Sequence, residues 1–123
     1  MNKAPVFLLV EPSSILRPVL SRWLEDVLTS SRILIATNAE DALKLTANEK
    51  PAYVLVTINL PDRKELELLR QLRQTLPKAK IVATSWFEIR GLLNRVLSAG
   101  ADEFLLKDEL RSELFPVWGI SIG

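Results

Sequence analysis

Residues 6–28, VFLLVEPSSILRPVLSRWLEDVL, change their hydrophobic period halfway along. Val6 to Val10 form an unbroken, β-rich apolar run, the pattern of a strand buried on both faces. From Ile15 onward the spacing is helical. Ile15, Val19, Trp23 and Val27 make one row four residues apart, and Leu16, Leu20, Leu24 and Leu28 make the row beside it. Ser13 or Ser14 supplies the side-chain oxygen that a helix N-terminus lacks, and Pro18 falls about one turn in, where backbone N–H groups have no partners to lose. A buried strand running straight into an amphipathic helix is the opening of a βαβ unit.

The alternation repeats along the chain. Short apolar runs at 33–36, 53–57, 81–84 and 104–106 read as four more strands. Between them, Ala42, Leu43 and Ala47 mark a weakly apolar helix face. Leu66, Leu69, Leu72 and Leu76 mark a second face, and Ile89, Leu92, Leu93, Val96 and Leu97 a third. Asn38 can cap the first of these helices, and Asp62-x-x-Glu65 and Ser85-x-x-Glu88 have the spacing of capping boxes before the other two. Pro77 stops one helix, and Gly100 suits the left-handed position after the next. Strands alternating with helices require right-handed crossovers, hence a doubly wound parallel sheet covered on both faces. The predicted order is βαβαβαβαβα, with a shortened last helix because Pro116 is not expected inside one. The chain reads as a single domain over 1–123, with a core at 6–114 and a tail at 115–123. Five of the nine tail residues are large and apolar, and they are predicted to cover the groove beside the fourth and fifth strands or to sit in a homodimer contact.

Composition narrows the chemistry. The 123 residues are 48% hydrophobic and 25% charged, enough apolar surface for one ordinary core. A formal net charge of +1 argues against a broadly basic nucleic-acid surface. Arg63, Lys64, Arg70 and Arg73, interleaved with Glu65 and Glu67, read as a solvated helix face. The absence of Cys and His removes disulfides, thiolate nucleophiles, the usual zinc ligands and the commonest general base. No run is long enough for a signal-peptide core or a membrane span, so a cytoplasmic protein is expected.

In an open parallel sheet, function gathers at the carboxyl ends of the strands. Those ends are Glu11-Pro12, Thr57, Thr84 and Lys107. Four segments, FLLVEPSSILRPVLSRWLE, YVLVTINLPDRKELELLRQLR, IVATSW and AGADEFLLKD, occur here in an order and spacing that resemble the receiver domain of two-component response regulators. The resemblance implies a flavodoxin-like sheet in the order 2-1-3-4-5. It also implies roles for single positions. That family ends its first strand in two acidic residues that hold magnesium, and the matching positions are Glu11 and Pro12. Its phospho-accepting aspartate matches Thr57, and the residue whose carbonyl helps hold the metal matches Asn59. Its strand-end hydroxyl matches Thr84, its aromatic switch Phe104 and its lysine Lys107, with Asp108 in place of the proline that usually follows.

The departures fall on the chemistry. Magnesium favours octahedral oxygen coordination with carboxylates, and only Glu11 supplies one, so binding is expected to be weak or absent. Thr57 would form a stable ester rather than a labile acyl phosphate, and the sequence offers no neighbouring base to activate its hydroxyl. A Glu11–Lys107 contact is the expected replacement for the metal. The Thr84 hydroxyl is read evenly as a backbone hydrogen-bond partner or a residual switch, and Phe104 as packing. Of Trp86 and Phe87, one is expected to pack inward and the other to be exposed; with Phe104 and Trp118 they are the candidate switch and interface residues.

The resemblance and its departures imply a pseudo-receiver, a non-enzymatic signalling module without cofactor or metal that binds partner proteins through its fourth helix, fifth strand and fifth helix. Two alternatives are a phosphorelay receiver using a displaced carboxylate such as Asp62 and a small-molecule-binding module using the vacated pocket.

Overall fold

The computed structural model describes residues 4–59, 63–88 and 90–121. Five strands, β1 (Val6–Val10), β2 (Arg32–Ala36), β3 (Tyr53–Thr57), β4 (Lys80–Ser85) and β5 (Glu103–Leu106), form one parallel sheet in the order β2-β1-β3-β4-β5. The predicted fold class is what the chain adopts, with each apolar run on its strand. Five helices connect or follow the strands: α1 (Leu16–Val27), α2 (Ala39–Asn48), α3 (Arg63–Thr75), α4 (Leu92–Ala99) and α5 (Leu110–Trp118).

The alternation of side chains along each strand divides the core in two. Leu8, Val10, Val54, Val56, Ile81 and Ala83 face Leu68, Leu69, Leu72, Leu92 and Val96 of α3 and α4. Phe7, Leu9, Leu55, Val82 and Leu105 face Leu20 and Leu24 of α1 and Leu110, Leu114, Phe115 and Trp118 of α5. The two rows read on α1 separate as their phases require. Leu20, Leu24 and Leu28 are buried, whereas Ile15 and Val19 are exposed.

Local signals account for most boundaries. The Ser13 hydroxyl accepts from the N–H of Leu16 at 3.0 Å, and Asn38 Oδ1 accepts from Asp41 N–H at 2.8 Å to open α2. Gly100 closes α4 at φ +124°, and an added Cβ there would stand 2.8 Å from Arg73 Cβ. Arg73 explains the close approach. Its guanidinium donates to the carbonyls of Gly100 at 2.9 Å and Ala79 at 2.8 Å and to Asp102 Oδ2 at 2.6 Å, tying α3 to the starts of β4 and β5.

Two expectations are corrected. Ser85-x-x-Glu88 does not open α4, whose first turn follows Gly91 in the left-handed region at φ +82°; Ile89 and Asp62 lie outside the described residues. Pro116 sits inside α5 rather than ending the helix. The carbonyl it leaves without an intrahelical partner belongs to Ser112, which is exposed and open to water. Burial of Phe115 and Trp118 on the next turn offsets the cost of about 3 kcal/mol that a helical proline carries. The tail therefore packs, and α5, which carries its first four residues, lies against β4 and β5 as one of the two readings expected. Trp118 lies against Phe7 of β1 and Tyr53 of β3, with ring centroids 5.3 and 5.6 Å away, and Phe115 meets Trp23 of α1 edge-on at 5.3 Å.

Candidate functional site at the carboxyl ends of the strands

Parallel strands that start in register also end in register, which brings Glu11, Thr57, Thr84 and Lys107 to one end of the sheet. Glu11 continues the line of β1, its N–H donating to the carbonyl of Ala36 at 3.1 Å. Thr57 closes β3 opposite Thr84 of β4. Lys107 begins a single 3-10 turn directly after β5, and that turn aims its side chain back under the sheet end.

The ammonium group of Lys107 donates to Glu11 Oε1 at 2.7 Å and to Thr57 Oγ1. The Thr57 hydroxyl in turn donates to the same Glu11 oxygen at 2.6 Å. The second carboxylate oxygen, Oε2, accepts from the N–H of Ser13 at 3.1 Å. Three polar side chains thus close a triangle, and the one charge of each sign cancels. The side chains of Lys107 and Glu11 are 2% and 1% exposed, so the pair is a buried one. Burial lowers the Lys107 pKa below the usual lysine value of 10.5, against the opposing hydrogen bond and charge of Glu11.

The expected Glu11–Lys107 contact is direct. Thr57 as a bridge between the two charges was not foreseen, and neither was the Ser13 N–H. The expectation that no carboxylate stands beside Thr57 is overturned, because Glu11 accepts a hydrogen bond from its hydroxyl. That oxygen of Glu11 also accepts from the Lys107 ammonium, so it already holds two donors. Thr84 is corrected too. It is fully buried, and among the described residues its hydroxyl has no hydrogen-bond partner, while its backbone carbonyl accepts from Ile58 N–H at 2.8 Å. Pro12 and Asn59 are exposed, the latter with its N–H donated to Glu65 Oε2 at 2.9 Å. Arg17 was missed entirely: its guanidinium donates to the carbonyls of Glu11 and Pro12 at 3.1 and 3.2 Å and holds the loop after β1. An arginine one turn into an amphipathic helix carries no sequence signal that separates it from an ordinary solvated one.

The four candidate switch and interface residues do not share one environment. Trp86 and Phe87 are both exposed, at 57% and 73%, so neither packs inward as one of them was expected to. Leu93 and Leu97 of α4 are exposed beyond them. Phe104 is half-buried against the α3–α4 side of the core. Trp118 belongs to the opposite core and offers no surface.

An open doubly wound sheet with a charged cluster at the strand ends next to the point where strand order reverses defines a class of α/β signalling and binding modules. Within it, residues 7–117 match the family model described as the response regulator receiver domain, and the chain belongs to that family. It is similar to the transcriptional activator protein ExaE of Pseudomonas putida, 34% identical over 100 residues covering 81% of this chain and 47% of that protein. It is also similar to the chemotaxis protein CheY of Thermotoga maritima, 24% identical with 81% and 82% covered. The chain spans about half or less of the length of the first curated relatives it matches. Among solved structures, a Burkholderia pseudomallei response regulator with a phosphorylated aspartic acid, calcium ion and citrate superposes with a TM-score of 0.79 at 25% identity, covering 92% of this chain and 66% of that one. A Thermotoga maritima response regulator gives the same TM-score at 23% identity, with 94% and 98% covered, and supports the fold.

Proposed function

We propose that this receiver domain is a pseudo-receiver, working in signal transduction through contacts with partner proteins that do not depend on phosphorylation. The observation that carries this reading is the closed triangle of Glu11, Thr57 and Lys107. A receiver that cycles through an aspartyl phosphate needs a carboxylate nucleophile and a divalent cation. At the end of β3 this chain places a threonine, whose hydroxyl is already spent between a carboxylate and an ammonium.

The residues do not fit magnesium. That ion takes oxygen donors in near-octahedral geometry and usually relies on more than one carboxylate or on substrate phosphates. Here Glu11 is the one carboxylate in the buried cluster among the described residues, and both its oxygens hold hydrogen bonds. Pro12 offers no side-chain donor. A cation entering this site would have to displace Lys107 from a buried pair, leaving a second positive charge beside it.

Partner contact falls on the α4–β5–α5 side, where Trp86, Phe87, Leu93 and Leu97 put large apolar side chains in water. Exposed aromatics next to aliphatic side chains are characteristic of the apolar centre of a protein interface. No described helix is long and apolar enough to cross a membrane, and we assign the module to the cytoplasm as part of this reading.

The test is incubation with a small acyl phosphate and Mg²⁺, followed by intact mass and by capture of a partner on immobilised protein. An unchanged mass, with capture equal before and after treatment, is expected. A stoichiometric, hydroxylamine-sensitive phosphoryl adduct would overturn the reading.

A further inference from the structure

The hydrogen bonds of β2 are only half used. Its ladder to β1 engages even-numbered residues: Arg32 N–H donates to the carbonyl of Pro5, and the carbonyl of Ala36 accepts from Glu11 N–H. Because backbone groups alternate sides along a strand, the N–H and C=O groups of Ile33 and Ile35 point away from β1. β2 is the edge of the sheet, and no backbone or side-chain hydrogen bond reaches these four groups among the described residues. Natural edge strands are usually protected by lysines, prolines, bulges or a covering element. This one reads Arg32-Ile33-Leu34-Ile35-Ala36, without lysine, proline or a break in register, and Ile35 is 39% exposed.

We infer that the outer edge of β2 is a self-association surface, which a second copy of this chain occupies by antiparallel pairing about a two-fold axis through Leu34. The occupant follows from the strand's own pattern. In that register Ile33 lies opposite Ile35 of the second copy and Ile35 opposite its Ile33. Each opposed pair exchanges both of its bonds, so the four outward groups of each copy are satisfied with no remainder. The two isoleucines lie on the same face of the sheet, so each opposed pair also joins β-branched side chains, which favour cross-strand packing. The one charge on the strand does not obstruct it. Arg32 falls opposite Ala36 of the second copy, and its guanidinium is already bonded to Glu49 of its own chain at 2.8 Å. A shift of one residue would bring inward-facing groups to the seam, and a shift of two would set one isoleucine opposite a residue outside the strand, so only this register pairs all four outward groups within β2. The two sheets would then be continuous, with ten strands.

The test uses the whole chain in analytical ultracentrifugation over a wide concentration range, with hydrogen exchange measured at both ends of that range. Mass rising from 13.9 kDa toward twice that value is expected. Slowed exchange should appear at the amides of Ile33 and Ile35 only in the concentrated sample. Ile33→Pro removes an outward N–H that the β1 ladder does not use, and Ile35→Lys places a charge at the seam; each should keep the chain monomeric. The wild-type exchange data stand even if a variant fails to fold. A wild-type monomer at every concentration overturns the inference, and so does a dimer in which the Ile33 and Ile35 amides exchange freely.

Discussion

Replacing Lys107 with methionine isolates the energetics of the triangle. The substitution keeps most of the side-chain volume and removes the one cation bonded to the Glu11 carboxylate among the described residues, leaving that buried carboxylate with hydrogen bonds from Thr57 and Ser13. Breaking a buried ion pair from one side costs about 3–5 kcal/mol, because the other charge is left uncompensated. That is a large share of the roughly 5–15 kcal/mol that stabilises a domain of this size. Removing both charges, in Glu11→Leu with Lys107→Met, abolishes the orphan charge but strands the Thr57 hydroxyl, at about 1–3 kcal/mol. Adding Thr57→Val should remove most of that remainder. Urea unfolding followed by intrinsic tryptophan fluorescence measures each step by linear extrapolation. The expected order of stability is wild type close to the triple variant, then the double, then Lys107→Met. If Lys107→Met lost less than about 1 kcal/mol, or the double variant were no more stable than the single, the reasoning from a buried coupled pair would fail.

The lowered Lys107 pKa has a pH signature. In the alkaline range below 10.5 the unfolded chain binds more protons at this lysine than the native chain does. Its contribution to stability therefore rises with pH there, and wild type minus Lys107→Met should show a positive slope in pH-dependent urea unfolding. Trp118→Ala should cost about 3–5 kcal/mol in the same assay, whereas Trp86→Ala should stay within about 0.5 kcal/mol of wild type and weaken only partner capture. Gly100→Ala combines a positive φ with a clash against Arg73 and should lose more than about 1 kcal/mol. Arg73→Ala, which frees carbonyls of Ala79 and Gly100, should lose about 2–3 kcal/mol, and thermal melts will rank the two.

The fold was legible because each strand is a continuous apolar run and each helix changes the period. Capping oxygens at Ser13 and Asn38 marked helix starts with a mechanism attached. Expectation failed where tertiary packing overrode a local rule. Pro116 breaks helices in isolation, yet Phe115 and Trp118 gain enough from the core to carry the helix past it. Ser85-x-x-Glu88 has the spacing of a cap, but Ser85 is the last residue of β4, and the helix waits for Gly91. At the site, the Glu11–Lys107 contact spans 96 residues, and only the family pattern could bring those positions together. The bridging role of Thr57 depends on hydroxyl direction, and the loop-holding role of Arg17 on side-chain reach. Neither is encoded in spacing.

Whether the strand ends capture a divalent cation is the question on which the account turns, and titration of the labelled chain with Mg²⁺, followed by amide NMR at Glu11, Thr57 and Lys107, answers it. Wild type should show no saturable shifts at these amides into the millimolar range, while Pro12→Asp combined with Thr57→Asp should acquire them. Saturable shifts in wild type, lost on Glu11→Gln, would contradict the account.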